Sequence, residues 1–301
     1  MILPTLRQLR FLTALADELH FGRAADRCLV TQSTLSTGLK ELEAILGAPV
    51  AERTKRSVML TPLGAELAER ARGVLTDVGE MVELARREAG ILRGPLRLGS
   101  IPTIGPFLFP RLMPRLKRDY PELTLYLREE LTEGLIDGLR AGRLDVILIA
   151  LPFDIGDLAS DSLFMDGYQL ASERGHPLAG STPVHGADLD EETLLLLERG
   201  HCLQRHALAA FPDSHARQDE SFAATSLATL IAMVEEGIGI TLLPQLVIDA
   251  GATRNANIAL TPLEGAWPRE VILAWRKSSA RAEDFKVLAH ILREERARLA
   301  G

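Results

Sequence analysis

The sequence predicts three successive parts: an all-α head closed by a short winged hairpin, one long linking helix, and an α/β body of two lobes. Three observations carry this. Two amphipathic helices with a turn between them fill residues 21–46. A narrow apolar seam runs unbroken after Pro62. Beyond Pro95, strand and helix patterns alternate. With 301 residues, 47% of them hydrophobic, the chain can build two or three cores.

The first helix pattern, Phe21–Val30, places Phe21, Ala24, Ala25 and Cys28 on one face. A polar turn at Thr31-Gln32 follows. The second helix carries Leu35, Leu39, Leu42 and Leu46 at i, i+4, i+7 and i+11, one stripe of a 3.6-residue period. Its opposite face holds Gln32, Ser33, Ser36, Thr37 and Lys40, side chains that reach base edges and phosphates in a major groove without steric conflict. This is a helix-turn-helix with a polar reading face. Pro49–Glu52 and Ser57–Leu60 are short strand candidates around a tip that holds Arg53, Lys55 and Arg56. A basic tip in isolation is most often a solvated turn; beside a reading helix it is a wing that contacts phosphates. Residues 1–60 hold eight Lys and Arg against six Asp and Glu, so the head carries +2 and the rest −9 of the net −7.

Thr61-Pro62 opens the linking helix as N-cap and first helical residue. It should run to about Ala89, roughly 42 Å at 1.5 Å per residue. Leu63, Leu67, Val74, Val78, Met81 and Ala85 form its seam. A long helix with a narrow seam needs a partner, most simply its twin in a second subunit, although packing on its own body is the plainer option. Paired subunits also suit paired DNA half-sites.

Gly90–Pro95 reads as a hinge. The body then predicts strand Leu96–Gly99, helix Phe107–Tyr120, strand Leu123–Leu127, helix Glu133–Ala141 and strand Leu144–Leu151, a βαβαβ order with a mainly parallel sheet. A second series has strands near Gln169–Ser172, Leu194–Leu197 and Ile238–Leu243, with helices near Cys202–Ala210 and Ser226–Glu236. Strand Glu270–Trp275 and a terminal helix from Ala282 return to the first series. The domain plan is therefore 1–60 for the head, 61–90 for the linking helix and 91–301 for the body. Its lobe I spans about 91–163 and 267–301, and lobe II about 164–266.

Other classes find little support. No apolar run reaches eighteen residues and Met1-Ile-Leu-Pro-Thr-Leu-Arg is no signal peptide, so a cytoplasmic protein without membrane contact is expected. Two cysteines cannot frame a disulfide scaffold. The seven histidines lack metal-ligand spacing and Gly237-Ile-Gly239 lacks a dinucleotide loop's third glycine. No metal, cofactor or enzymatic activity is expected. Cys202 does stand out. It follows an apolar strand near the first turn of a helix, where free N–H groups favour an anion, and His201, Arg199 and Arg205 add donors or positive charge. That setting favours a thiolate; an inert buried cysteine is the competing reading.

Over its whole length the chain resembles the LysR-type transcriptional regulators. Ala24-Ala25, Gln32-Ser33-Thr34-Leu35-Ser36, Leu42-Glu43, Glu52-Arg53 and Leu60-Thr61-Pro62-Leu63-Gly64 carry the DNA-binding part of the match. The resemblance implies a winged helix-turn-helix that contacts promoter DNA through Gln32, Ser33, Thr34, Ser36, Thr37, Lys40, Arg53, Lys55 and Arg56. It further implies a dimerising linker helix, a two-lobed effector domain similar to periplasmic binding proteins, assembly as dimers or tetramers, and RNA polymerase as a partner.

Within that family the body is similar to the hydrogen-peroxide-sensing OxyR group. Ile101-Pro-Thr-Ile-Gly-Pro106, Tyr126-Leu127, Leu195–Glu198, Gly200-His-Cys-Leu203, Ala224-Thr-Ser-Leu227 and Gly239-Ile-Thr-Leu-Leu-Pro244 carry this likeness. It implies that Cys202 is the peroxide-reactive cysteine, with His201, Thr103 and Thr132 close to it. The effector cleft would draw on Thr103, Gly105, Thr132, Gly200, Thr225 and Ser226. Thr103, Thr132, Thr225 and Ser226 all precede or open helices, so capping is the plain alternative for each.

Two positions depart from the group's pattern. Phe211 stands where a resolving cysteine is usual, and Arg205 where an Asp is common. Cys28 belongs to the head, so an internal disulfide is not expected. Three outcomes stay open: sulfenic acid or a mixed disulfide at Cys202, a disulfide between subunits, or a different small effector bound without covalent chemistry.

Overall fold

The computed structural model describes residues 2–53, 58–86, 90–190, 192–197, 210, 217–224 and 226–300. The chain divides into two compact units, Met1–Glu88 with Arg140–Arg143, and the remainder.

The first unit opens with a helix the sequence reading passed over, α1 (Leu6–Glu18). Its signal is a capping box. The Gln8 N–H donates to Thr5 Oγ1 at 3.2 Å and the Thr5 N–H donates to Gln8 Oε1 at 2.9 Å. Helix α2 (Phe21–Arg27) is capped by His20, whose Nδ1 accepts from the N–H groups of Gly22 and Arg23. It ends three residues before the predicted Val30, because Cys28 closes it and Leu29 takes a left-handed φ of 57°. Helix α3 (Gln32–Leu46) starts on a Thr31 cap, so Gln32 is its first residue and not part of the turn. Phe11, Leu15, Phe21, Leu35, Leu39 and Leu42 meet in the core of this head.

Strands β1 (Ala51–Arg53) and β2 (Val58–Leu60) pair antiparallel as the expected hairpin; its tip, Thr54–Ser57, lies outside the described residues. Helix α4 (Pro62–Arg86) lays Ala68 and Ala71 into the head core. Gly64 permits that contact, since a Cβ there would fall 1.9 Å from the Val50 carbonyl oxygen. Leu63, Val74 and Met81 of the predicted seam are exposed.

In the second unit, lobe I is a five-stranded sheet ordered β4-β3-β5-β12-β6. Its strands are β3 (Gly94–Ser100), β4 (Leu123–Glu129), β5 (Val146–Leu151), β6 (Ala159–Asp166) and β12 (Arg269–Trp275). Strands β3, β4 and β5 run parallel, as the alternating pattern predicts. Strand β12 pairs antiparallel with both β5 and β6, so the sheet is mixed. Strand β6 escaped the sequence reading because Ala159-Ser-Asp-Ser is polar at a half-exposed sheet edge. Helices α5 (Gly105–Asp119), α6 (Thr132–Arg140) and the terminal α9 (Ala282–Ala300) cover the sheet, with Phe285, Leu288 and Leu292 of α9 fully buried against it.

Lobe II departs further from the parallel expectation. Its sheet β10-β7-β11 is antiparallel throughout, from β7 (Tyr168–Glu173), β10 (Thr241–Pro244) and β11 (Ile258–Pro262). Strands β8 (Thr193–Leu197) and β9 (Arg217–Ala224) pair parallel. Helix α7 (Leu227–Glu235) is the predicted one; the five-residue α8 (Gln245–Asp249) and strands β9 and β11 were not anticipated. Strand β10 begins at Thr241, not Ile238, because Gly237 turns the chain with a φ of 69°. Of the predicted helix Cys202–Ala210, only Ala210 is described; it is helical, buried, and its carbonyl accepts from the Trp267 N–H.

Candidate functional site

Two sets of residues deserve separate treatment, one in each unit. In the head, the core stripe of α3 turns the opposite face outward. Gln32, Ser33, Thr37 and Lys40 are exposed; Thr34 and Ser36 are half-buried. The Thr31 hydroxyl gathers Ser33 Oγ at 2.9 Å and Thr34 Oγ1 at 2.8 Å, and accepts the Thr34 N–H. Thr34 therefore leans on the helix cap, and Gln32, Ser33, Thr37 and Lys40 form the outward polar face of α3. Gly38 lets α3 press onto α1, since a Cβ there would meet the Phe11 ring at 2.7 Å. Arg53 closes β1; Lys55 and Arg56 lie outside the described residues.

Four arginines of this unit are held in ion pairs. Arg23 pairs with Glu18, Arg27 with Asp17 and Glu18, Arg70 with Glu66, and Arg72 with Asp17 and Glu69. Cys28 Sγ donates weakly to the Arg10 carbonyl at 3.8 Å. Burial pushes its thiol pKa up, against the opposing charges of Arg10 and Arg27, which suits the packing role expected for it.

In lobe I the parallel register aligns Ser100 with Glu129, so Thr103 and Thr132 each stand three residues beyond the carboxyl ends of neighbouring strands. Both are 1% exposed. Neither is a helix cap. Helix α5 begins after Ile104 with no side-chain cap, and Thr103 Oγ1 instead accepts from Arg269 Nη1 at 2.9 Å. Thr132 is the first residue of α6, and its Oγ1 has no hydrogen-bond partner among the described residues. A buried hydroxyl left unpaired costs about 1–3 kcal/mol, so it marks a place kept for something polar. Gly105 is buried at the start of α5, where a Cβ would press on Ser100 and Phe109 at 3.0–3.1 Å.

The sequence reading missed the group that organises this corner. Arg269 and Asp166 are fully buried and paired, Arg269 Nε and Nη2 donating to Asp166 Oδ2 at 3.0 and 2.8 Å. Arg269 Nη2 also donates to the Thr103 carbonyl at 3.2 Å, and Asp166 Oδ1 accepts the Leu246 N–H of α8 at 2.8 Å. Because the guanidinium only donates, Thr103 must accept from it, which leaves the threonine's own hydroxyl hydrogen available to another acceptor. The signal was present as an Arg heading the apolar strand Val271-Ile-Leu-Ala-Trp: a charge in that setting is buried only with a partner.

Ser226 is an ordinary cap for α7, its Oγ accepting the Thr229 N–H at 3.2 Å. Gly200, His201, Cys202 and Thr225 lie outside the described residues, as do Arg205 and Phe211. Among the described residues no cluster of metal-binding side chains occurs, and no helix is long and apolar enough to cross a membrane.

Both units match known proteins. Residues 6–65 match the family described as bacterial regulatory helix-turn-helix protein, lysR family, and residues 89–297 match the LysR substrate binding domain. The HTH-type transcriptional regulator EstR of Acinetobacter baylyi is 39% identical over 305 residues, 99% of each chain. The DNA-binding transcriptional dual regulator OxyR of Escherichia coli K12 is 39% identical over 296 residues, 98% of this chain and 96% of that one. Among solved structures, a full-length OxyR variant from Pseudomonas aeruginosa gives a TM-score of 0.81 at 38% identity, covering 97% of this chain and 96% of its own. A hydrogen-peroxide-bound OxyR variant from Corynebacterium glutamicum gives 0.66 at 32% identity, with 99% and 94% covered. With an amino-terminal reading helix, a linking helix and a two-lobed body each matched in order, the chain belongs to the LysR family of helix-turn-helix transcriptional regulators, in the neighbourhood of OxyR.

Proposed function

We propose that this regulator responds to hydrogen peroxide through oxidation of Cys202, without an internal disulfide. Residues 1–60 would read promoter DNA, 61–90 would join copies into a dimer or tetramer, and 91–301 would receive the signal and pass it to RNA polymerase. The observation that carries the reading is the pair of buried threonines at the ends of β3 and β4. Thr103 is held as an acceptor by Arg269 and so keeps its hydrogen to donate; among the described residues Thr132 keeps its whole hydroxyl uncommitted. Hydroxyl donors at the carboxyl ends of parallel strands suit a small polar ligand with two oxygens. The peroxide-bound relative and those named hydrogen peroxide-inducible genes activator support the choice of ligand.

In the proposed step the Cys202 thiolate attacks one peroxide oxygen and the O–O bond breaks. Sulfur is oxidised to the sulfenic acid, peroxide is reduced, and the second oxygen leaves as hydroxide, accepting a hydrogen bond from a threonine as its charge develops. With Phe211 at the position of a resolving thiol, the sulfenic acid persists or condenses with a small thiol or a second subunit. Dimedone labelling tests this: reduced protein mixed with stoichiometric peroxide should give one adduct, at Cys202, and Thr103→Val should slow its formation. Absence of an adduct under fast mixing rejects the sensing step.

A second reading, favoured by Phe211 and Arg205, is a regulator gated by non-covalent binding of another small effector to the same corner. Unchanged induction in a Cys202→Ser strain would select it.

A further inference from the structure

Most of the expected hinge, Gly90–Pro95, is tied down. Leu92 is fully buried in the lobe I core and takes a left-handed φ of 51°, a conformation leucine rarely adopts. Four backbone groups from Leu92 to Pro95 are held. The Leu92 N–H donates to Asp284 Oδ1 at 3.1 Å, and the Gly94 N–H to the Glu122 carbonyl at 2.9 Å. Arg281 donates from Nη2 to the Arg93 carbonyl at 3.2 Å and from Nη1 to the Pro95 carbonyl at 2.5 Å. We propose that Arg281 and Asp284, at the start of α9, form a clasp on the entry to the body. The clasp fuses Leu92–Pro95 to α9 and confines the turning point to the residues before Leu92, so that a rearrangement of the body is relayed to the linking helix instead of being absorbed at the junction. The relay rests on the peroxide reading above; the clasp does not.

The pair is aimed at the junction and not at its own helix. Arg281 immediately precedes α9, where the positive end of the helix dipole disfavours a cation, so the helix gains nothing from its charge. Asp284 is the third helical residue, a position from which a side-chain acceptor can reach back to the N–H ahead of the helix. Both its oxygens are spent elsewhere, Oδ1 on Leu92 and Oδ2 on Arg281 Nε at 2.8 Å, and the Arg281 N–H turns to Ser279 Oγ at 3.3 Å. Arg281 is only 8% exposed, and a charge is buried to that degree only with partners; here they are one carboxylate and two hinge carbonyls. Ahead of Leu92 the chain differs. Gly90 has a φ of 118°, a region that glycine adopts with ease, which marks the turning point. Hinges absorb large backbone rotations at a few residues, and the fewer are left to turn, the less of a body movement is lost there.

The clasp is tested by trypsin on the full-length protein. Cleavage after the half-exposed Arg93 is followed by mass spectrometry as the fragment that starts at Gly94. Arg281→Met keeps the buried stem and removes the donors, and the loss of hydrogen bonds from a charged group should raise the cleavage rate about tenfold or more. Asp284→Asn keeps an oxygen for Leu92 and should give a smaller rise. Arg115→Met, which breaks ion pairs between α5 and α9, should give none. An unchanged rate in Arg281→Met, or an equal rise in Arg115→Met, overturns the clasp. The relay is tested by footprints, reduced against peroxide-treated, on a duplex that the wild type enriches from a randomised pool. In Arg281→Met, dimedone should label Cys202 at the wild-type rate while the oxidation-dependent change in footprint is lost. A full change in that variant overturns the relay. A wild-type footprint that ignores peroxide overturns the peroxide reading and the relay with it, while cleavage still decides the clasp.

Discussion

Replacing Asp166 should damage the second unit more than any other single charge change. The side chains of Asp166 and Arg269 are both 0% exposed, and Asp166 accepts from Arg269 Nε and Nη2 and from the Leu246 N–H. Asp166→Ala leaves a buried guanidinium without its counter-charge, a loss of about 3–5 kcal/mol. Asp166→Asn keeps an oxygen for Leu246 and should recover the roughly 1–3 kcal/mol of that amide. The double variant Asp166→Leu/Arg269→Met removes both charges and should be more stable than Asp166→Ala, because the orphaned charge is gone. Urea unfolding followed by tryptophan fluorescence isolates this unit, since both tryptophans, Trp267 and Trp275, belong to it. Trp275 packs 5.5 Å from Phe285 in the lobe I core and will report its loss. With a slope of about 2–3 kcal/mol per molar urea, Asp166→Ala should move the midpoint down by roughly 1–2.5 M. A shift below about 0.3 M, or a double variant no better than the single, would refute the assignment of a buried, mutually dependent pair.

Glycines on α4 should respond oppositely: Gly64→Ala collides with the Val50 carbonyl and should unfold the head, while Gly73→Ala, with nothing within 4 Å, should stabilise it by up to about 1 kcal/mol in a thermal scan. The Arg115 guanidinium, hydrogen-bonded to Glu294, holds that carboxyl below the usual glutamate range. A lowered folded pKa contributes stability that is present above the unfolded value and lost as pH falls through the folded one. The stability gap between wild type and Arg115→Met should therefore close as pH falls below the usual glutamate range, as read from melting temperature against pH. Cys28, with its thiol pKa raised by burial, should react with iodoacetamide in a Cys202→Ser background more slowly when native than in urea, by mass spectrometry at neutral pH.

How much of this was legible depended on whether a residue's role was local. The stripe Leu35, Leu39, Leu42, Leu46 fixes its own helix and therefore its own reading face, and the Thr31 and Thr61 caps sit where the residue types demand. The parallel strands β3, β4 and β5 followed from alternation with helices. What stayed hidden was pairing at a distance. Strand β6 is polar at its start and becomes a strand through β12, more than a hundred residues away; β11 likewise depends on β7. Helix α1 is the exception, since Thr5 and Gln8 announced it locally and its apolar residues Phe11, Leu12 and Leu15 keep helical spacing.

The same distinction separates the two threonines from the serine. By sequence, Thr103, Thr132 and Ser226 are equivalent: a hydroxyl at the mouth of a helix, most simply a cap. Ser226 is that cap. Thr103 is diverted by an arginine 166 residues away, and Thr132 by no partner among the described residues. A chain that needed Thr132 only for its fold would lose nothing by placing Val there, since the hydroxyl gains no partner among the described residues and its burial is unfavourable. Thr132→Val should therefore leave stability equal or higher while slowing the reaction of Cys202 with peroxide. Measured together on one preparation, by melting temperature and by dimedone adduct formation, the two readouts separate a structural threonine from one retained for its ligand. If stability falls and reactivity stays, Thr132 is structural and the corner at the ends of β3 and β4 is not the sensing site.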